Sequence, residues 1–237
     1  MKILIKHINQ KGFVLLTMAL LLLYNAANAG AISDSYAAIE ITGPVGKSLN
    51  QQPLLSIIKA QALPLSSIYG WNNHLVVYNK NLNISKLYDL CKESYPGLTI
   101  KQYTHPFYIF EKQQHCSNVS LAHEWDNVIL TANLVKDPKM EQEYLNYHAT
   151  QFKKWPEVAN GFCNADFQQL LVFKSGRQLL LIISIPKGAD LNKLNPKTSE
   201  NNPRVDDWNK LMAKYQEGIP GTKPGEVWVF LKPVSDK

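Results

Sequence analysis

The chain reads as an α+β protein built on an antiparallel sheet, with helices along one face of the sheet. Three observations predict this. From Asn127 onward the pattern of the 237 residues runs strand, helix, two strands, helix, strand. The two central strands are separated by Ser175-Gly176, a hairpin signal. Both are apolar at successive positions, so both of their faces need covering.

The elements follow in order. Lys2, Lys6 and Lys11 precede a nearly unbroken apolar run, Phe13 to Leu23, and Ala27-Asn28-Ala29 supplies the small residues of a cleavage site. Residues 1–29 are therefore expected to be a signal peptide cut after Ala29, with a mature protein that is periplasmic or secreted. The apolar run falls short of the ~20 residues of a spanning helix, so no stable membrane insertion is expected after cleavage. Losing three lysines lowers the formal charge from +6 to +3. No basic cluster is interleaved with aromatics, which argues against nucleic acid.

Residues 30–67 are rich in Ala, Ser, Gly and Gln and read as a lead-in segment with a short helix at Leu54–Ala62. Residues 68–122 read as a partial ferredoxin-like half. His74–Tyr78 is a strand, and Asn83 caps a helix over Ser85–Glu93 that ends at Tyr95-Pro96-Gly97. Leu98–Tyr103 and Phe107–Lys112 are strands.

Residues 123–237 carry the complete pattern. Asn127–Val135 is a strand. Asp137-Pro138 opens a helix, with Asp at the cap and Pro in the first turn, and the helix runs to about Phe152. Trp155-Pro156-Glu157 restarts a helical turn. The hairpin strands are Phe167–Lys174 and Gln178–Ile185. Pro186–Asn202 reads as a loop, Pro203–Gly218 as a helix, and Glu226–Leu231 as the last strand. Such sheets pack in pairs as an α+β barrel. The partner sheet is either the amino-terminal half, an internal pseudo-dimer, or a second chain, a homodimer.

An oxidising compartment permits one disulfide among Cys91, Cys116 and Cys163. Cys91–Cys116 is the expected pair, because both lie in the first half of the mature chain, and Cys163 reads as a small buried apolar residue. No CxxC, HExxH or other His/Cys cluster suggests a metal, and no cofactor is expected. His74, His105, His115 and His123 read as surface or loop residues, and Trp228 and Phe230 as core. Asn83 and Asn118 open glycosylation sequons of low specificity.

The chemistry concentrates at Tyr144 and His148. Four residues apart on a helix, they share a face. An imidazole exchanges a proton near neutral pH and a phenol orients a hydroxyl, a pairing suited to a sugar or another hydroxylated substrate. Trp208 stands at helical spacing with Leu211, Met212 and Tyr215, so it is either core or a platform for a sugar ring. Trp155 is either a plug where the helix restarts or a second apolar face.

These residues resemble the L-rhamnose mutarotase family of dimeric α+β barrels. The match is carried by Glu143-Tyr144-x-x-x-His148, Trp155-Pro156-Glu157, the Ser175-Gly176 hairpin, the helix with Trp208 and Met212, and the strand Val227-Trp228-Val229-Phe230. The resemblance implies a carbohydrate isomerase of the racemase and epimerase class, with no cofactor, that interconverts the anomers of a free sugar such as L-rhamnose. It implies that His148 is the proton donor, with Tyr144 and Trp208 against the sugar and Trp155 nearby. Departures accompany it, and the leader pattern with the amino-terminal extension is one of them. Trp155 follows His148 at a longer spacing, Gln169 stands where the family often has a sugar-binding tyrosine, and Asn209 replaces the second of two tryptophans. Gln169 is expected to hydrogen-bond the sugar in that tyrosine's place. The same barrel also supports a non-catalytic sugar-binding module or a small monooxygenase, including haem-degrading proteins.

Overall fold

The computed structural model describes residues 36–80, 82–117 and 120–234. The expected signal peptide and the Asn118 sequon lie outside the described residues.

Two copies of one arrangement share a single ten-stranded sheet. The first copy runs β1 (Ala38–Thr42), α1 (Gln52–Ala60), β2 (Ile68–Trp71), β3 (His74–Tyr78), α2 (Ile84–Ser94) and β4 (Thr99–Tyr103). Its strands lie in the order β4-β1-β3-β2, all antiparallel. This is a complete ferredoxin-like unit. The segment read as a lead-in supplies its first strand and first helix, so the partial half expected from residue 68 begins at Ala38.

A connecting strand, β5 (Tyr108–Glu111), and a short helix, α3 (Lys112–His115), follow. The second copy runs β6 (Trp125–Leu134), then a helical stretch in three pieces: α4 (Pro138–Ala149), α5 (Gln151–Lys154) and α6 (Pro156–Asn164). It continues through β7 (Gln169–Ser175), β8 (Gln178–Pro186), α7 (Leu191–Leu194), α8 (Pro203–Met212), β9 (Gln216–Glu217) and β10 (Val229–Pro233). Its order, β10-β6-β8-β7, repeats the first unit's. Among the described residues no helix is long and apolar enough to cross a membrane.

Local chemistry sets the ends of these elements. The Asn83 side chain accepts from the Lys86 amide, and Asp137 accepts from Lys139 and Met140, so both predicted caps form. Gly176 holds φ +58° at the first central position of the β7–β8 turn, where a type II′ hairpin requires it. The segment 186–202, expected as a loop, winds into α7 and a 3-10 turn at Asn195–Thr198, with Asp190 capping α7 through the Asn192 amide.

β10 joins the two units. Val229–Leu231 pair with β6, while Lys232 and Pro233 pair with β2. The sheet curls until β4 meets β7, where Tyr103 packs edge-on against Phe173. β5 takes the remaining length of the β7 edge, pairing with Gln169–Val172. The partner sheet for the carboxy-terminal unit is thus supplied by the same chain.

Strand alternation then divides the core into three layers. The inner faces of both half-sheets meet around Ala38, Val76, Ile129, Leu171, Phe173, Leu180 and Ile182. The amino-terminal outer face packs Ile39, Ile41, Leu75 and Val77 against Leu54, Ile58, Leu87 and Cys91 of the helices. The carboxy-terminal outer face packs Leu170, Val172 and Ile183 against α4 to α8, whose contribution includes Tyr144, Phe162 and Trp208.

Two sequence expectations are corrected by this packing. The disulfide is Cys116–Cys163, and Cys91 is a free, buried thiol in the amino-terminal core. Because β5 leaves the amino-terminal unit to join β7, the segment after it is carried onto α6, and neighbours in sequence are separated in space. Phe230 is 49% exposed, because successive strand residues alternate sides and its side of β10 meets solvent, whereas Val229 and Leu231 are buried.

Candidate functional site

A cavity of about 460 Å³ opens between the carboxy-terminal sheet and its helices. That is within the range of about 300–1,000 Å³ usual for small-molecule sites. Its walls are Leu170, Val172, Leu181 and Ile183 from the sheet, with Tyr144, His148, Phe162 and Trp208 from the helices. Asn195, Thr198, Asn209 and Gln216 add polar groups to this apolar lining.

Tyr144 and His148 project into the same cavity from successive turns of α4, with ring centroids 4.3 Å apart. Both are almost fully buried, at 1% and 8% exposure. His148 Nδ1 lies 3.0 Å from the Tyr144 carbonyl oxygen. A carbonyl only accepts, so Nδ1 carries the proton and Nε2 keeps the lone pair. Burial disfavours the imidazolium and, despite the favourable bond to the Tyr144 carbonyl, lowers the pKa of His148 to about 4. The reference value near ~6.5 expected for it is therefore displaced. Across the physiological range the ring is a neutral acceptor rather than a ready donor.

A short relay sets the Tyr144 hydroxyl. Trp228 Nε1 donates to Gln216 Oε1 at 3.1 Å, and Gln216 Nε2 donates to the Tyr144 hydroxyl at 3.2 Å. The phenol oxygen thus accepts from the protein and retains its own proton for a ligand. Burial holds this phenol above its ordinary pKa, outweighing the Gln216 bond, so it remains a neutral donor.

Trp208 packs edge-on against His148, with centroids 5.2 Å apart, and contributes to the wall. Trp155 stands behind it, 5.6 Å from Trp208, and the Arg204 guanidinium sits 3.8 Å over its ring. Trp155 backs the wall and does not line it.

Gln169 is displaced entirely. It alternates with Leu170 on β7 and points to the inner face, where its amide donates to the Tyr36 hydroxyl and to Glu111 Oε1. It cannot hydrogen-bond a ligand in this cavity. The cause is the period of two along a strand: a polar side chain one position from a wall residue faces the opposite side of the sheet.

Sequence reasoning missed Gln216, Asn209 and Trp228 as lining residues. Trp228, expected in the core of the last strand, lies just before β10 and is half-buried at the cavity rim. The signal available for it was its closeness in sequence to Gln216 across a Gly/Pro-rich loop. Among the histidines, His105 and His123 are exposed as expected. His115 instead stacks on Phe152 at 3.9 Å, and His74 is buried on the inner face.

Comparison with known proteins points the same way. Residues 128–236 match the sequence profile of L-rhamnose mutarotase. An L-fucose mutarotase of Xanthomonas campestris pv. campestris is 28% identical over 96 residues, covering 40% of this chain and 75% of that protein. A UPF0734 protein of Dictyostelium discoideum is 28% identical over 99 residues, covering 40% of this chain and 77% of its own length. The carboxy-terminal half of the chain therefore resembles the L-rhamnose mutarotase family over nearly its whole extent, from β6 through β10.

Proposed function

We propose that the carboxy-terminal unit interconverts the anomers of a free deoxyhexose of the L-rhamnose or L-fucose kind. The observation that carries this reading is the pairing of a neutral imidazole with an oriented phenol in one cavity. His148 Nε2 has a lone pair and no protein partner among the described residues, and the Tyr144 hydroxyl has a proton to give.

The chemistry balances without any other group. Nε2 takes the proton of the anomeric hydroxyl, the C1–O5 bond breaks, and a C1 carbonyl forms. The departing ring oxygen accepts a hydrogen bond from Tyr144. The imidazolium, made strongly acidic by its burial, passes the proton to that oxygen. O1 and O5 are both bonded to C1, so one nitrogen serves both. Rotation about C1–C2 and the reverse sequence give the other anomer. Trp208 and Trp228 offer apolar surface to the C–H side of the ring, and Asn195 and Asn209 supply hydrogen bonds at its rim.

The Cys116–Cys163 bond and the leader pattern at Lys2 to Ala29 support a periplasmic or secreted location. Magnetisation-exchange NMR on L-rhamnose and L-fucose tests the function. Protein-dependent exchange between anomers is expected, reduced ~10²–10⁴-fold in His148→Ala. Binding that persists with no exchange in the unsubstituted protein would make the unit a sugar-binding module instead.

A further inference from the structure

The inner core is apolar in its middle and carries polar groups toward both ends, Gln169 with Tyr36 and Glu111 at one, and groups from both units around Glu40 at the other. Glu40 on β1 is fully buried. His74 Nδ1 lies 2.6 Å from its Oε1, Gln178 Nε2 donates to the same oxygen at 2.7 Å, and the Tyr103 hydroxyl donates to Oε2 at 2.7 Å. Lys101 Nζ stands 3.9 Å from Oε2 and also donates to Gln178 Oε1. Burial alone would raise the Glu40 pKa, but His74, Lys101 and Tyr103 outweigh it and hold the carboxyl below its ordinary value. Glu40 is thus an ionised anchor whose oxygens are already engaged.

Beside this anchor lies a cavity of about 320 Å³, separate from the one around His148. Among its lining residues are Asn73, His74, Lys101, Asn133, Arg177 and Gln178. Among the described residues two cations reach it and no carboxylate lines it. Glu40 sits behind His74, and Glu217 is held by Arg177 Nη1 at 2.8 Å. An ammonium has three N–H groups and a guanidinium five, so both cations keep donors beyond the bonds they make here. Lys101 and Arg177 are partly exposed, with side-chain exposures of 26% and 34%, so solvent reaches them.

A second observation points to a ligand. Asn73 is 2% exposed. Its Nδ2 donates to the Gly43 carbonyl at 2.7 Å, which fixes the orientation of the amide. Its Oδ1 is buried with no hydrogen-bond partner. A buried acceptor without a partner is uncommon in a folded protein. Here it belongs to a residue that lines the cavity, and it calls for a donor such as a hydroxyl.

We propose that this seam cavity is a second binding site, for a small hydroxylated carboxylate of the sugar-acid kind. The carboxylate meets Lys101 and Arg177, a hydroxyl donates to Asn73 Oδ1, and His74 Nε2 meets a second hydroxyl. The site depends on both units, because Arg177 and Gln178 come from the β7–β8 turn of the carboxy-terminal one.

Isothermal titration of the full mature chain with D-gluconate and D-glucuronate tests it, with D-glucose and acetate as controls. Saturable binding of at least one acid is expected, at least tenfold weaker in Lys101→Gln and in Arg177→Gln, and unchanged in His148→Ala. Two variants are used so that one that fails to fold does not decide the matter. The proposal is overturned by no saturable binding, by binding indifferent to both substitutions, or by binding lost in His148→Ala, which would place the acid in the other cavity. Acetate binding as tightly as gluconate would overturn the role of Asn73.

Discussion

The two units share one strand order, yet they use the space between sheet and helices differently. In the amino-terminal unit that space is filled with aliphatic side chains: Ile39, Leu54, Ile58 and Leu75 are each at most 1% exposed. In the carboxy-terminal unit the same layer is built from Tyr144, Phe162, Phe167, Trp208 and Trp228, and it encloses a cavity. Branched aliphatic residues interdigitate to near-crystalline density. Rings meeting edge-on, as His148 does with Trp208 and Tyr108, hold one another apart and turn polar tips toward the gap. In this layer one repeat is packed solid and the other encloses a cavity.

The largest expected effect tests the tie between the site and its surroundings. Cys116–Cys163 closes a separation of 47 residues and fastens the strap after β5 to α6. In the chain-entropy view such a loop contributes about 4 kcal/mol. Cys116→Ser with Cys163→Ser should lower unfolding stability by about that amount. Hydrogen exchange should rise in α6 before it rises in α1. Equal loosening of both units would break the contrast between them.

Next is the aliphatic layer itself. Ile58→Ala should cost ~2–5 kcal/mol in a denaturant titration. Anomeric exchange per folded molecule should stay unchanged, because Ile58 packs only in the amino-terminal core. A loss of exchange in the folded fraction would show that the amino-terminal layer takes part in the site.

A smaller effect is expected at Gly161 on α6. A Cβ there would stand 2.4 Å from the Thr198 carbonyl oxygen, on the turn that lines the cavity. Gly161→Ala should cost ~1–3 kcal/mol of stability. It should also raise KM for the sugar as the turn moves away. Unaltered KM would sharpen the site toward Tyr144 and Gln216 and away from Thr198.

How much of this was legible beforehand follows from particular residues. The caps at Asn83 and Asp137, the Gly176 turn and the shared face of Tyr144 and His148 are local, and local chemistry specifies them. β1 was not recognised because Glu40 interrupts its short apolar pattern. What makes that carboxylate tolerable, His74, Tyr103 and Gln178, lies 34 to 138 residues away in the chain. The parity of Gln169 was undecidable because Leu170–Phe173 are apolar on both faces of β7. The disulfide partner of Cys116 depends on where β5 docks, and nothing near it in sequence says so. The sequence shows the first copy only in part, as a half unit from residue 68, because the two copies differ in helix length and in the chemistry of their layers.

The pH dependence of anomeric exchange tests the central claim most directly. A folded-state pKa of about 4 for His148, below the unfolded value near ~6.5, has two consequences. The unfolded chain takes up the proton first, so stability falls as pH drops from about 6.5 toward 4. A shift of this size corresponds to about 3 kcal/mol at the low end. Catalysis, which needs the neutral ring, should stay flat from pH 8 down to about 5 and decline with a midpoint near 4, and His148→Gln should abolish the rate over that whole range. A midpoint near ~6.5 would contradict the account, as would a His148→Gln protein that still exchanges anomers at the native rate.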